Sequence, residues 1–342
     1  MNPLNLTPLE LNQIERERAD YHGLISKICS QKKPSEQSGI DLTCIGNAGG
    51  ADSLVHGQPT GGLLFRGCGR TMVIDPGDNS LSFLVESGFD PYDVTDVLAS
   101  HAHNDHVGDL SALISAAINL GLAETTDRHI LASPSLVDYS NPTATSTGFM
   151  LPAYAWQGQV HALFWKPENM RRFDGTAISS EPAVTISDSV CVSATKAVHS
   201  DIQVTGFLID TPLGRIGYTS DTEYFPELNT WYPDVQVLWM NINTLALNSV
   251  DDADLMPQHD LQEPIANHLG YLGVCSLIEE VRPRTAIISH FGAQLLVHRE
   301  TIEKMLRERF AALEITIHCP DNGDSLIFDD LYNPPTRQEF VP

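Results

Sequence analysis

The chain has 342 residues, of which 42% are hydrophobic, and it carries a formal net charge of −24. This length and composition are typical of a globular protein with a sizeable core, and the absence of an 18-residue apolar run or a basic-then-apolar N-terminus predicts a cytoplasmic protein with no membrane span. The acidic charge opposes docking on a phosphate backbone, so a nucleic-acid partner is disfavoured, although a local basic patch could override the charge.

Residues 1–38 are predicted to form a helical extension and a linker. Thr7 to Glu10 combine an N-cap Thr, Pro at the first helical position and Glu at the capping-box position. Leu11, Ile14 and further apolar residues recur near one helical face, which predicts an amphipathic helix of about five turns. The helix could pack on the domain or on a second subunit, and a homodimer is the expected assembly.

From Asp41 onward, β-rich runs alternate with helical patterns and turn signals, which indicates two sheets flanked by helices. The predicted strands are 41–45, 62–65, 71–74, 95–100, 183–186, 190–195, 204–209, 215–219, 235–240, 285–289, 315–319 and 326–328. The predicted helices are Ser80 to Glu86, Leu110 to Leu120, Leu272 to Val281 and Arg299 to Phe310.

One catalytic domain is expected over residues 39–332, followed by a C-terminal tail over 333–342. Within the domain, residues 140–182 interrupt the alternation with aromatic side chains among Pro, Gly, Ser and Thr. This segment is predicted to be an insertion that forms either a lid or partner surface or an irregular segment with its own small core.

The six-residue segment 101–106 carries most of the chemical information. His101, His103, Asp105 and His106 follow the predicted strand 95–100 in the pattern H-x-H-x-D-H. Neutral imidazoles and a carboxylate suit zinc or a similar divalent ion, and alternate positions at a strand end can converge on one point. The cluster therefore predicts half of a two-metal site.

Three later residues can complete the site, since rigid strand ends bring distant sequence positions together. His199, Asp221 and His290 each lie at or just beyond the end of a predicted strand. Taken singly, such residues are commonly capping or hydrogen-bonding groups. Their order after the cluster favours a shared metal site.

With these motifs the chain resembles the metallo-β-lactamase fold superfamily of hydrolases, from about Thr43 to Phe328. The first motif resembles Val73-Ile74-Asp75-Pro76-Gly77. The resemblance implies an α/β (α+β) fold, a four-layer αββα sandwich, here with an appended N-terminal helix. It also implies that two divalent ions share a hydroxide. Asp75 would not be a ligand but would either support the ligands from behind or stabilise the turn.

The ligand assignment follows from the same resemblance. His101, His103 and His199 would hold one ion, Asp105, His106 and His290 the other, and Asp221 would bridge both. The imidazole of His103 favours zinc, or manganese, and hydrolysis over oxygen reduction. Two such ions about 3.5 to 4 Å apart would activate a water and stabilise the leaving oxygen, with Asp105 orienting the water or accepting its proton.

The stretch Asn267-His268-Leu269-Gly270, before a predicted helix, resembles the ribonuclease Z and phosphodiesterase branch. By that resemblance His268 would act as a general acid or stabilise the transition state, whereas the plain alternative is a helix-start His with local hydrogen bonds. Where the branch carries His-Glu-Ala-Thr, this chain has Asn241-Ile242-Asn243-Thr244. The missing Glu and the acidic charge favour a small or cyclic phosphodiester over a transfer-RNA precursor.

Two other functions stay open. Tyr224, three residues after Asp221, has the spacing of metal-dependent lactonases, so a lactonase or esterase is an alternative in which Tyr224 contacts the substrate. A ribonuclease Z-like endonuclease is another. A non-catalytic scaffold is disfavoured, since a scaffold has no chemical need for seven metal ligands.

Overall fold

The fold has four layers, with helices outside two packed β-sheets. The computed structural model describes residues 7–29, 38–118, 127–137, 159–166, 169–171, 175–199, 202–244 and 267–339. Within these residues the αββα sandwich implied by the resemblance is confirmed. None of the described helices is long and apolar enough to span a membrane.

The first sheet has the strand order β18-β17-β1-β3-β4-β5-β6-β7-β9-β8. Its strands are β1 (Ile40–Cys44), β3 (Gly61–Gly67), β4 (Arg70–Pro76), β5 (Asp96–Ala99), β6 (His129–Ala132), β7 (Gln159–Leu163), β8 (Asn169–Arg171), β9 (Ala177–Glu181), β17 (Asp324–Phe328) and β18 (Thr336–Glu339). The central strands β4, β5, β6 and β7 are parallel.

The second sheet has the order β10-β11-β12-β13-β14-β15-β16, and a short strand β2 pairs with β15. Its strands are β2 (Ala48–Gly49), β10 (Ala183–Ser187), β11 (Val190–Lys196), β12 (Thr205–Thr211), β13 (Gly214–Tyr218), β14 (Val237–Asn243), β15 (Thr285–Gly292) and β16 (Thr316–His318). From β13 to β16 the pairing is parallel. The carboxyl ends of these strands therefore meet at one edge.

The helices are α1 (Pro8–Cys29), α2 (Ala51–Val55), α3 (Ser80–Glu86), α4 (Asn104–Val107), α5 (Leu110–Ala117), α6 (Pro134–Val137), α7 (Gly270–Val281), α8 (Ala293–Leu296) and α9 (Arg299–Phe310). The predicted N-terminal helix and the four helices predicted within the domain are present as α1, α3, α5, α7 and α9, whereas the short helices α2, α4, α6 and α8 were not predicted.

Three hydrophobic clusters hold the layers together. The cluster between the sheets is formed by alternate residues of facing strands, with Phe65, Phe207 and Trp239 fully buried at its centre. A second cluster packs α7 and α9 on the second sheet, and a third packs α3 and α5 on the first. Because each sheet has apolar side chains on both faces, both sheets are held rigidly, and so are the residues at their strand ends.

The N-terminal helix begins as predicted, with a capping box. The Thr7 N–H donates to Glu10 Oε2 at 2.7 Å, and the Glu10 N–H donates to Thr7 Oγ1 at 3.3 Å. Leu11, Ile14 and Tyr21 are 40%, 48% and 56% exposed, so these apolar side chains are not buried against the described part of the domain.

Two segments of the predicted domain plan contain additional strands. Of the expected insertion, residues 140–158 lie outside the described part of the chain, whereas β7, β8 and β9 extend the first sheet beyond β6. The expected C-terminal tail contains β18, which pairs antiparallel with β17. The strands β7 and β9 near one end of the sheet are partly exposed, and β18 at the other end is exposed throughout, so they lack the apolar alternation by which buried strands are recognised.

Candidate metal centre

All seven predicted metal ligands lie together where strands of both sheets end. His101 to His106 follow β5, His199 follows β11, Asp221 follows β13, and His290 lies near the end of β15. Their side chains form two adjoining groups whose donor atoms are close enough to bind an ion each: His101, His103 and His199 in one, and Asp105, His106, Asp221 and His290 in the other.

The first group brings three imidazole nitrogens to one point. His103 Nδ1 lies 3.1 Å from His101 Nε2 and 3.0 Å from His199 Nε2. Nitrogens bound to one tetrahedral zinc ion at the usual bond lengths lie about 3.3 Å apart. The spacing in the first group is therefore close to what a single ion requires.

The outer nitrogens of two of these rings are already engaged. The Nδ1–H of His199 donates to the backbone oxygen of Asn267 at 2.6 Å, so in the neutral ring Nε2 keeps its lone pair. His101 Nδ1 lies 2.9 Å from Ser100 Oγ. Burial lowers the pKa of His101 well below its usual range, with the neighbouring His106 adding to the effect. A neutral ring is the form that binds a metal.

The second group combines two imidazoles with two carboxylates. His290 Nε2 lies 3.4 Å from Asp105 Oδ2 and 3.3 Å from Asp221 Oδ1, and His106 Nε2 lies 3.4 Å from Asp221 Oδ2. Burial alone would lower the pKa of His106, but the carboxylates of Asp221 and Asp105 raise it well above its usual range. The two carboxylates thus create a negative electrostatic potential that favours a cation at this position.

Two imidazoles of the second group leave buried nitrogens unpaired. Within the described part of the chain, His106 Nε2 and both ring nitrogens of His290 are fully buried and have no hydrogen-bond partner. Such atoms are costly to bury unless a cation or another partner binds them. A divalent ion bound by His106, His290 and the carboxylates would remove this cost for both Nε2 atoms, so the residues fit the metal that the resemblance implies.

Asp75 lies behind this group and contacts His106. It is fully buried and accepts hydrogen bonds from the Ser100 N–H at 2.6 Å and the Tyr218 hydroxyl at 2.7 Å. Its Oδ2 also lies 3.0 Å from His106 Nδ1. Because this contact engages Nδ1, the Nε2 of His106 is turned toward the other donors.

Asp221 lies between the two groups. Its Oδ2 is 3.4 Å from His106 Nε2 and 3.8 Å from His199 Nε2, and its Oδ1 accepts from Asn241 Nδ2 at 3.0 Å. Burial would raise the pKa of Asp221, but His290 and His106 hold it well below its usual range. An ionised carboxylate in this position can contact an ion in either group.

The ring of His290 occupies space that is free because residue 49 is glycine. His290 has a backbone φ of +59°, which is uncommon for a residue with a side chain, and β2 runs beside it. A Cβ atom on Gly49 would lie 2.3 Å from His290 Cδ2 and 2.4 Å from Nε2. Only glycine at position 49 therefore leaves room for this ring.

His268 reaches the same site from the segment before α7. Its Nδ1 lies 3.7 Å from Asp221 Oδ2, and its Nε2 lies 2.7 Å from Asn243 Nδ2. Burial lowers the pKa of His268 to about 4. The position at which the ribonuclease Z pattern carries Glu is Ile242, which is fully buried, so the amide of Asn243 makes the contact instead.

Tyr224 is directed away from the candidate ligands. Its hydroxyl donates to Glu280 Oε1 on α7 at 2.6 Å, and this hydrogen bond raises the pKa of Tyr224 to about 12. Tyr224 also does not line the cavity that opens over the candidate ligands.

A cavity of about 470 Å³ opens over the two groups. It is lined by Gly50, Ala51, Leu54, His103, Asn104, Asp105, His199, Asp221, Asn243, Asn267 and His268. The described lining contains carboxamides, small apolar groups and candidate ligands, and it includes no Lys or Arg. The part of the cavity wall from Gly50 to Leu54 was not predicted from the sequence. The glycines at 46, 49 and 50 were the only sequence signal that the backbone here approaches other residues closely.

Comparison with known proteins agrees with this architecture. Residues 62–160 match the family model described as the metallo-beta-lactamase superfamily. An uncharacterised protein of Methanocaldococcus jannaschii is 25% identical over 260 residues, which make up 75% of this chain and 84% of that protein.

Three solved structures share the fold at low sequence identity. The metallo-beta-lactamase fold protein YhfI from Bacillus subtilis has a TM-score of 0.58 at 16% identity, covering 85% of this chain and 100% of that one. A diphosphatase from the PhnP family has a TM-score of 0.53 at 13% identity, covering 84% and 97%. The short form of human tRNase Z has a TM-score of 0.51 at 15% identity, covering 84% of this chain and 98% of that one. The predicted resemblance and fold are confirmed.

Gly49→Ala is expected to weaken ion binding by the second group while leaving the first group intact. The added methyl group collides with His290, so the variant should bind one of two zinc ions at least about 10-fold more weakly. The measurement is a zinc titration of metal-free protein followed by calorimetry. Gly23→Ala in α1 makes the same chemical change at a position where, among the described residues and apart from the adjacent residues and backbone of α1 itself, no atom lies within 4 Å of the new methyl group, and it should bind zinc as the parent does.

Asp75→Asn is expected to lower zinc affinity by about 10- to 100-fold, because the amide cannot replace a carboxylate that accepts from several groups at once. Asn tolerates the left-handed backbone at this position, where φ is +49°. Circular dichroism checks that the variant is folded. Unchanged affinity in a folded variant would show that Asp75 supports only the turn.

Proposed function

We propose that this chain, which has the metallo-β-lactamase fold, is a dinuclear metal hydrolase that cleaves a small or cyclic phosphodiester. The observation that carries the proposal is the pair of adjoining donor groups with Asp221 between them. The match to a superfamily of metal-dependent hydrolases supports hydrolysis as the reaction class. A cytoplasmic location and a homodimer remain predictions.

The ions would be held by the side chains assigned from the sequence. His101, His103 and His199 would hold one and Asp105, His106 and His290 the other, with Asp221 shared. Imidazole and carboxylate ligands suit zinc, and manganese is the alternative. When bound, two such ions supply activation of a water nucleophile and neutralisation of charge on the phosphoryl group.

Asp105 is suited to orient the attacking water or to accept its proton. It lines the cavity, and its Oδ2 accepts from the Gly50 N–H at 2.6 Å. Burial would raise its pKa, but His106 and His290 lower it, so the carboxylate is ionised. The Gly50 N–H holds the carboxylate in the cavity wall, where it would be available to a water bound there.

His268 is suited to protonate the leaving oxygen. Its lowered pKa, due mainly to burial, keeps the ring neutral near pH 7 in the substrate-free chain. A phosphodiester bound beside it would bring a negative charge that raises this pKa and so favours the protonated ring.

The cavity favours a small substrate. Its volume of about 470 Å³ is in the range that holds one small molecule. The described lining lacks Lys and Arg, and the chain carries a net charge of −24, whereas a long RNA requires many phosphate contacts. A ribonuclease Z-like endonuclease is therefore the weaker alternative. The lactonase alternative loses its main support because the Tyr224 hydroxyl is engaged by Glu280.

The first test is metal content with a substrate panel. Elemental analysis of zinc-reconstituted protein should give about two ions per chain. The panel contains a generic phosphodiester, cyclic mononucleotides, a transfer-RNA precursor, a lactone and a thioester. We expect turnover of a small phosphodiester, abolished by chelation and restored by zinc or manganese. Cleavage of the lactone alone would overturn the phosphodiesterase assignment.

The second test compares His268→Ala with Tyr224→Phe. Loss of a general acid lowers turnover by about 10²- to 10⁴-fold, and the loss should be larger for a phenyl leaving group than for a nitrophenyl group, which departs without a proton. Metal content should not change. Tyr224→Phe should retain phosphodiester turnover, because its hydroxyl contacts Glu280 rather than the cavity. Loss of an ion in His268→Ala would identify His268 as a ligand instead of an acid.

A further inference from the structure

We infer that Glu223 is a positioning residue. By holding the backbone of Asn267, it fixes the positions of both the metal ligand His199 and the acid His268. Glu223 does not line the cavity. The inference rests on the proposed function, because its consequences concern an ion held by His199 and a proton held by His268.

Glu223 lies in the loop that carries Asp221, and this loop is tied to the loop that carries His199. The Glu223 N–H donates to the Val198 backbone oxygen at 2.8 Å. The Val198 N–H donates to Thr222 Oγ1 at 3.0 Å. Two hydrogen bonds thus fix the two loops against each other, so the side chain of Glu223 starts from a rigid backbone.

The carboxylate of Glu223 extends this connection to a third segment. Glu223 Oε2 accepts from the Asn267 N–H at 3.2 Å. The backbone oxygen of Asn267 accepts in turn from His199 Nδ1 at 2.6 Å. One residue, Asn267, therefore receives support from the carboxylate on its N–H and orients a metal ligand with its carbonyl.

The backbone of Asn267 lies in a conformation that its contacts help to hold. Its φ is +75°, in the left-handed region, which asparagine tolerates better than most residues other than glycine but which is still uncommon. Conformations of this kind persist where surrounding contacts hold them. The side-chain oxygen of Glu223 that accepts from the Asn267 N–H is such a contact.

His268 follows directly in the chain, so its position depends on the same backbone. Its ring centre lies 4.8 Å from that of His199, and its Nδ1 lies 3.7 Å from Asp221 Oδ2. If Asn267 moves, the carbonyl that orients His199 and the ring of His268 move together. Loss of the Glu223 carboxylate should therefore change metal affinity and proton transfer in the same variant.

Three variants separate this role from a general effect of charge. Glu223→Ala removes the acceptor, and Glu223→Gln keeps a side-chain oxygen that can accept from the Asn267 N–H. Glu227→Ala removes another Glu of the same loop, whose side chain is exposed. Circular dichroism and thermal unfolding check that each full-length variant is folded.

The first measurement is a zinc titration of metal-free protein by calorimetry, with His199→Ala used to identify the binding step of the first group. Glu223→Ala should weaken that step by about 10- to 100-fold, the range for loss of a residue that orients a metal ligand, and should leave the other step within about twofold. Glu223→Gln should recover most of the affinity, and Glu227→Ala should match the parent.

The second measurement is turnover of phenyl and nitrophenyl phosphodiesters at saturating zinc. Glu223→Ala should lose more turnover with the phenyl ester, because displaced His268 protonates the leaving oxygen less effectively. Parent-like affinity in Glu223→Ala, failure of Glu223→Gln to recover it, or an equal loss in Glu227→Ala would each overturn the inference. A parent protein that binds zinc in the first group but cleaves no phosphodiester would instead overturn the proposed function, and the zinc titration would still judge the role of Glu223.

Discussion

The arrangement of this molecule depends on one electrostatic constraint, which is that buried carboxylates and unpaired imidazole nitrogens face each other in a small volume. Asp221 is almost fully buried, and its oxygens lie within 3.3 to 3.8 Å of nitrogens from His290, His106 and His199. A buried ionised carboxylate is tolerated only beside compensating charge. A proton on His106, whose pKa is raised by Asp221 and Asp105, supplies part of that charge in the metal-free chain, and divalent ions would supply it more completely while binding the Nε2 atoms that, among the described residues, have no hydrogen-bond partner.

The fold meets this constraint by giving each side chain a rigid origin and a second contact. Parallel strands of both sheets end at the same edge, so residues separated by nearly 200 positions, such as His101 and His290, approach each other. Behind them, Asp75 turns His106, Asn267 orients His199, and Gly49 leaves space for His290. Both the strand ends and these outer contacts are needed, because a strand end alone does not decide which ring nitrogen faces the centre.

The sequence predicted the parts of this arrangement that have local patterns. The H-x-H-x-D-H run, the N-terminal helix, the helices α3, α5, α7 and α9 and most inner strands follow from apolar periodicity and from donor spacing, whereas the buried inner strand β6 was not predicted. Residues that act across loops left no such pattern. Asn243 beside His268 is recognised only once β14 and α7 are placed in space, and the partly exposed strands β7 and β9 lack the apolar alternation of buried strands.

The contact between Asn243 and His268 also bears on how the site would select its substrate. A carboxylate beside His268 would stabilise the protonated ring before substrate arrives, whereas an amide carries no charge and does so far less. The fully buried Ile242 cannot supply that charge either. Asp221 Oδ2, 3.7 Å from His268 Nδ1, already favours the protonated ring, and the negative charge of a bound phosphodiester would favour it further, whereas a neutral ester or lactone would not. With an amide at position 243, protonation of His268 is more sensitive to an anionic substrate than it would be with a carboxylate there.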